Sequence, residues 1–141
     1  MGQIHLRRFG ETSLFTVPVQ VGLLAKPEAT REAQLLLDTG ASTLYLTDAL
    51  VVALGGKPGS PRYEVGGLSG PAALDSVANV KVVFGSGDYR RTLRIANAPV
   101  LPGASAVPGM ADGVLGGFPL RLLRATVTID YDTQLATLEW P

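Results

Sequence analysis

The chain has 141 residues, twelve Lys and Arg against twelve Asp and Glu, and no cysteine. Its length suits one domain, residues 1–141, around a single core, and 46% hydrophobic against 17% charged residues mean that it folds. Zero net charge without a long block of one sign argues against nucleic acid or an anionic membrane as partner, and the missing cysteines exclude disulfides, thiol nucleophiles and cysteine metal sites.

His5 is the only histidine. One histidine leaves too few ligands for zinc, and no Gly-x-Ser-x-Gly elbow accompanies it, so no metal is expected and His5 reads as a terminal or strand-surface residue. No apolar run is long enough to span a bilayer. No N-terminal segment has the order of a signal peptide. The chain is expected to be soluble as written, as a cytoplasmic protein or as a domain excised from a periplasmic or membrane-anchored precursor.

Phe15, Val17, Val19 and Val21 alternate with Thr16, Pro18 and Gln20, the pattern of a half-buried strand. Pro18 places that strand at an edge or a bulge. Lys26 to Arg31 reads as a polar turn, and Ala33 to Leu37 as a buried strand ending at Asp38. A carboxylate there has to be satisfied by hydrogen bonds or by a second charged group, which makes Asp38 the first candidate for chemistry. Small residues follow it, Thr39-Gly40-Ala41-Ser42-Thr43.

Thr47 to Leu54 predicts a short helix with Thr47 as N-cap and Gly55-Gly56 at its end. Residues 56–61 read as a loop. Tyr63 to Gly70 predicts a hairpin with Gly66-Gly67 at a mobile tip. A second hairpin, Val77 to Phe84 and Tyr89 to Ile95, turns through Gly85-Ser86-Gly87-Asp88. Ala98 to Met110 is an uncharged loop. After Asp112-Gly113-Val114-Leu115-Gly116-Gly117 comes a short helix, Pro119 to Arg124, with Pro119 in its first turn. Thr126 to Tyr131 and Leu135 to Trp140 form a final hairpin. Short strands at regular spacing predict an all-β chain, a closed or barrel-like sheet with one or two short helices.

Asp38-Thr39-Gly40-Ala41 together with Val114-Leu115-Gly116 resembles the retropepsin-like aspartic proteases. An apolar strand precedes the aspartate, the apolar-apolar-Gly triplet leads into a short helix, a hairpin closes the chain, and a Gly-rich hairpin lies between. The likeness covers most of residues 14 to 140, and only the two motifs are specific. It implies the closed acid-protease barrel and an aspartic endopeptidase acting on an extended peptide or protein, with neither metal nor cofactor. By the same resemblance Asp38, Thr39 and Gly40 are the catalytic loop, and the threonine locks two such loops together. Ala41, Val114, Leu115 and Gly116 support the site, with the triplet packed under the Asp38 loop. Val65, Gly66, Gly67 and Leu68 form the flap that closes on substrate by strand addition.

The chemistry needs two carboxylates about 3 Å apart that share one proton. This chain has one such motif: Asp132-Thr133-Gln134 lacks the glycine, and Asp112-Gly113 lacks the hydroxyl residue. A homodimer therefore has to supply the second Asp38 by symmetry. Ala41 cannot donate the side-chain hydrogen bond that a serine or threonine would give the carboxylate, a bond that favours the ionised form. A mildly acidic working range is expected.

The alternative is that Asp-Thr-Gly is a structural Asx-turn in a catalytically silent dimerisation or peptide-binding module. A third reading is a self-processing protease within a longer chain. The terminal strands and the N-terminal residues are candidates for the dimer interface, with Trp140 either anchoring it or lining the barrel core. Viral members interleave their termini there, and the longer hairpin of this chain leaves its own pairing open. Arg121 and Arg124 do not match the viral arginine pattern, so no role carries over to them.

Overall fold

Val17, Val19 and Val21 alternate with more polar neighbours, and the chain from Phe15 to Leu23 is a strand that buries all three valines. The computed structural model describes residues 1–65, 72–103 and 111–141. In chain order its elements are β1 (Gly2–His5), β2 (Arg7–Arg8), β3 (Phe15–Leu23), β4 (Lys26–Leu37), β5 (Leu44–Thr47), α1 (Asp48–Ala53), β6 (Gly59–Val65), β7 (Ala72–Phe84), β8 (Arg91–Leu101), β9 (Gly113–Leu115), α2 (Gly117–Leu123), β10 (Thr126–Asp130) and β11 (Leu135–Trp140). A 3-10 turn, Gly87–Tyr89, joins β7 to β8. The described residues are all-β with two short helices, as the sequence predicts.

Eight strands form one sheet in the order β2-β3-β4-β9-β5-β8-β7-β6, and β7 also pairs with β3. That extra ladder, Gln20↔Val83 to Leu23↔Val80, brings the run β3-β4-β9-β5-β8-β7 back to its start. Inside this ring Val17, Val21, Leu35, Leu44, Leu46, Val80, Phe84 and Leu115 are wholly buried. Pro18 fits because β3 changes partner around it. On that side β2 pairs with Phe15 and Thr16, and β7 takes over at Gln20, so no ladder asks for the missing amide hydrogen.

Three expectations are corrected. Lys26 to Arg31 is the first half of β4 and not a turn: the register Leu23↔Lys26 and Val21↔Arg31 confines the turn to Leu24 and Ala25. These polar residues are extended because β3 supplies their backbone partners, not because they bury side chains. The loop expected over residues 56–61 gives way to β6 at Gly59. The loop expected from Ala98 begins later, since β8 continues to Leu101 through its parallel pairing with β5; its residues 104–110 lie outside the described residues.

Both helices form where the local signals put them. The Thr47 hydroxyl accepts from the Leu50 amide at 3.3 Å and caps α1. α2 starts two residues before Pro119 and ends at Arg124, which takes the left-handed conformation at φ 57°. Beyond it, β1, β11 and β10 form a separate three-stranded sheet. Trp140 packs edge-to-face on Phe84 with centroids 6.3 Å apart and donates from Nε1 to the Tyr89 carbonyl at 2.8 Å. At 1% exposure it lines the core of its own chain, which removes it as an interface anchor.

Candidate active site

Asp38 leaves the end of β4, and three strands fix where that end points. Leu35, Leu36 and Leu37 pair in parallel with Gly113, Val114 and Leu115. On its other side β9 pairs antiparallel with β5, setting Leu115 against Leu44 and Gly113 against Leu46. The short β9 thus lies between the strand entering the Asp38 loop and the strand leaving it. Gly113 is required there: a Cβ would lie 2.2 Å from the Tyr45 carbonyl oxygen.

The loop itself is held by backbone. The Asp38 amide donates to the Leu115 carbonyl at 3.1 Å, and the Ala41 amide to the Asp38 carbonyl at 3.0 Å, which closes a turn. The Gly40 amide donates to Asp38 Oδ1 at 2.9 Å. A Cβ on Gly40 would press on that same oxygen at 3.3 Å, so glycine lets backbone and carboxylate share the space.

The start of α2 completes the clamp. An α-helix leaves its first amides without intrahelical partners, and α2 has no side-chain cap. Its entry donates to the loop instead: Gly116 to the Thr43 carbonyl at 2.9 Å, Gly117 to Ala41 at 2.8 Å, and Phe118 to Ser42 at 2.9 Å.

Asp38, Thr39 and Gly40 are exposed in the single chain. The leucine strand suggested a carboxylate in need of burial partners, but the strand ends under the surface and Asp38 projects past it. Ala41 is half-buried, Leu115 fully buried, Gly116 buried and Val114 half-buried behind the loop. The two motifs, far apart in the chain, therefore meet, and the triplet packs against the Asp38 loop. β6 and β7 pair antiparallel up to Val65↔Ala72, giving the arms of the expected flap hairpin. Val65 ends β6, while Gly66, Gly67 and Leu68 lie outside the described residues.

A family model for aspartyl proteases matches residues 17–117. The chain belongs to that family. The matched span runs from β3 to the first residue of α2, so the family's signature covers both clamped motifs of this aspartyl protease chain. It is similar to a retropepsin-like aspartic protease from Rickettsia conorii, with TM-score 0.61, 18% identity, and 97% of this chain and 90% of that one covered. It is also similar to EIAV protease, solved in complex with the inhibitor HBY-793, with TM-score 0.52, 22% identity, and 87% and 100% covered. No curated protein sequence matches it significantly. At these identities the solved structures speak for the fold, which is retropepsin-like.

One residue of this assembly carries no signal in the motif. Asp112 precedes β9; its Oδ2 accepts from the Gln34 amide at 2.8 Å, and its own amide donates to the Gln34 carbonyl at 2.9 Å. Its carbonyl accepts from both the amide and the hydroxyl of Thr47, at 3.0 and 3.2 Å. Asp112 thus bolts β4 to the start of α1. A carboxylate at the mouth of a buried three-residue strand was the available clue. Among the described residues, no cluster of His, Asp and Glu could hold a metal ion, and no helix is long and apolar enough to cross a membrane.

Proposed function

We propose that this protein is an aspartic endopeptidase that works as a two-fold homodimer, with Asp38 of each copy forming the catalytic pair. The observation that carries the reading is the exposed Asp38-Thr39-Gly40 loop, held by the Leu115 carbonyl and the entry of α2. A rigid carboxylate facing outward from one protomer is half of a site.

The two Asp38 carboxylates meet at the axis and share one proton, because two charges at that distance cannot both persist. The ionised carboxylate takes a proton from a water molecule as its oxygen bonds to the scissile carbonyl carbon. The protonated partner gives its proton to the carbonyl oxygen, producing a neutral gem-diol. Collapse breaks the C–N bond, with the proton delivered to the leaving amine. Thr39 reaches across to the partner's loop, and Gly40 donates its amide to Asp38. Residues 65–68 close over an extended peptide by strand addition. Residues 1–141 act as one such domain.

Asp38→Asn tests the reading on an unstructured protein substrate assayed from roughly pH 3 to 8. The variant should lose at least about a hundredfold in rate and keep its stability within about 0.5 kcal/mol, since the side chain is exposed. Wild-type activity should rise faster than linearly with enzyme concentration where monomers prevail. Undiminished cleavage by Asp38→Asn would sink the mechanism. The Gly40 to Asp38 Oδ1 bond is also an Asx-turn and supports the second reading, a silent binding or dimerisation module. That reading gains if the wild type dimerises but cleaves nothing over the same pH range.

A further inference from the structure

A pocket of about 100 Å³ lies between the C-terminal end of α2 and the start of β8. It brings Arg91 and Arg124 together from two elements, with Thr92, Leu93 and Leu123 in the same lining. The surroundings are short of negative charge. Lys81 on β7 stands directly opposite Arg94 on β8, a like-charge pairing that works against the sheet. Arg90, just before β8, is exposed. Among the described residues the ion pairs are Arg8 with Glu11 and Arg62 with Asp75, both away from this pocket. Glu139 shares a neighbouring concavity with Arg124 but forms no ion pair with it. No carboxylate therefore neutralises Arg91 or Arg124.

Each guanidinium is placed by backbone. Arg91 donates to the Pro141 carbonyl, which uses one of its five N–H donors. Arg124 follows α2 at φ 57°, in the left-handed conformation. Glycine is the usual residue at such a helix end, so an arginine keeps a long cationic arm where the backbone asks for no side chain. Helix-end carbonyls repel anions, but here the Arg124 and Ala125 amides already occupy those of Leu120 and Arg121.

We infer that this pocket binds a phosphate group, gripped by the Arg91 and Arg124 guanidiniums. The planar fork of arginine matches the oxygens of phosphate two at a time. Water takes about 30 Å³ per molecule in the liquid, so the pocket has room for a tetrahedral oxyanion and not for a large organic body. The ligand is either the free anion or the phosphate of a monoester, whose organic part would lie on the leucines. The unpaired cations along β7 and β8 draw anions towards it. α2 is seven residues long, about 10 Å at 1.5 Å per residue, and its first amides hold the Ala41 and Ser42 carbonyls. A phosphate that bridges α2 to β8 thus braces the helix that clamps the Asp38 loop.

Calorimetric titration with inorganic phosphate and with phenyl phosphate tests the site, at constant ionic strength so that screening does not pass for binding. Wild type should bind phosphate and melt at a higher temperature with it. Arg91→Gln and Arg124→Gly should each weaken binding at least about tenfold. Glycine suits the left-handed position, so Arg124→Gly keeps the fold and its lost binding is not unfolding. Lys57→Gln removes an exposed cation elsewhere and should bind as wild type does. Tighter binding of phenyl phosphate identifies a monoester as the ligand, and equal affinity the free anion. Wild-type affinity in either arginine variant, or an equal loss in Lys57→Gln, would overturn the site. Asp38→Asn should bind phosphate as wild type does, so failure of the cleavage mechanism and failure of this site are separate results.

Discussion

Gly116 packs so closely against the Asp38 loop that a Cβ on it would lie 2.5 Å from the Ala41 carbonyl oxygen, and 2.5 Å from that of Thr43. Those carbonyls accept the amides of Gly117 and of Gly116 itself, so neither can retreat without breaking the clamp. Gly116→Ala should therefore destabilise the protein by about 1–3 kcal/mol, read as a lower urea midpoint with an unchanged slope. Gly59→Ala, with nothing within 4 Å of its Cβ, should stay within about 0.5 kcal/mol of wild type. Equal effects at the two positions would contradict the clamp.

Asp112 gives a second prediction. Its carboxylate accepts the Gln34 amide in a part-buried position, and removing it leaves a donor without a partner. Asp112→Ala should cost about 1–3 kcal/mol. Asp112→Asn should recover part of that, because an amide oxygen still accepts. Hydrogen exchange at the Gln34 amide separates this cause from a general loosening: it should accelerate more than the amides of β7 in Asp112→Ala.

The third concerns acid. Asp130 sits in the final turn, where hydrogen bonds from the Thr133 backbone and side chain and from the Asp132 amide hold its carboxyl below the ordinary value of 3.8. A carboxylate with a lowered folded-state value stabilises the fold above the unfolded-state value, and that stability is lost as pH falls through the folded-state one. Wild type should therefore melt above Asp130→Asn near neutral pH, and the gap should close once the pH drops below 3.8. A gap that widens in acid would show that these bonds do not favour the ionised carboxylate.

How much of this was legible follows the range of each interaction. Thr47 could be read as an N-cap because its partner is Leu50, three residues on. Pro18 could be read as a break in pairing because proline carries that property itself. Lys26 to Arg31 could not be read as strand, since its polar side chains are exposed and its extension comes from β3. Trp140 looked equally suited to an interface or a core until Phe84 and the Tyr89 carbonyl stood beside it. The tie that Asp112 makes could not be read, since its partner Gln34 is 78 residues away.

The sequence by itself determined the family's two motifs, the all-β character and the presence of a single Asp-Thr-Gly, all of which live in residue identities and short spacings. Only the tertiary structure decided that β9 runs between β4 and β5 and that Asp38 projects into solvent. Those outcomes depend on backbone hydrogen bonds between strands distant in sequence, and on glycines at positions 113 and 116 whose worth appears only when another backbone lies within 3 Å. Local chemistry named the carboxylate; the packing of remote strands turned it outward.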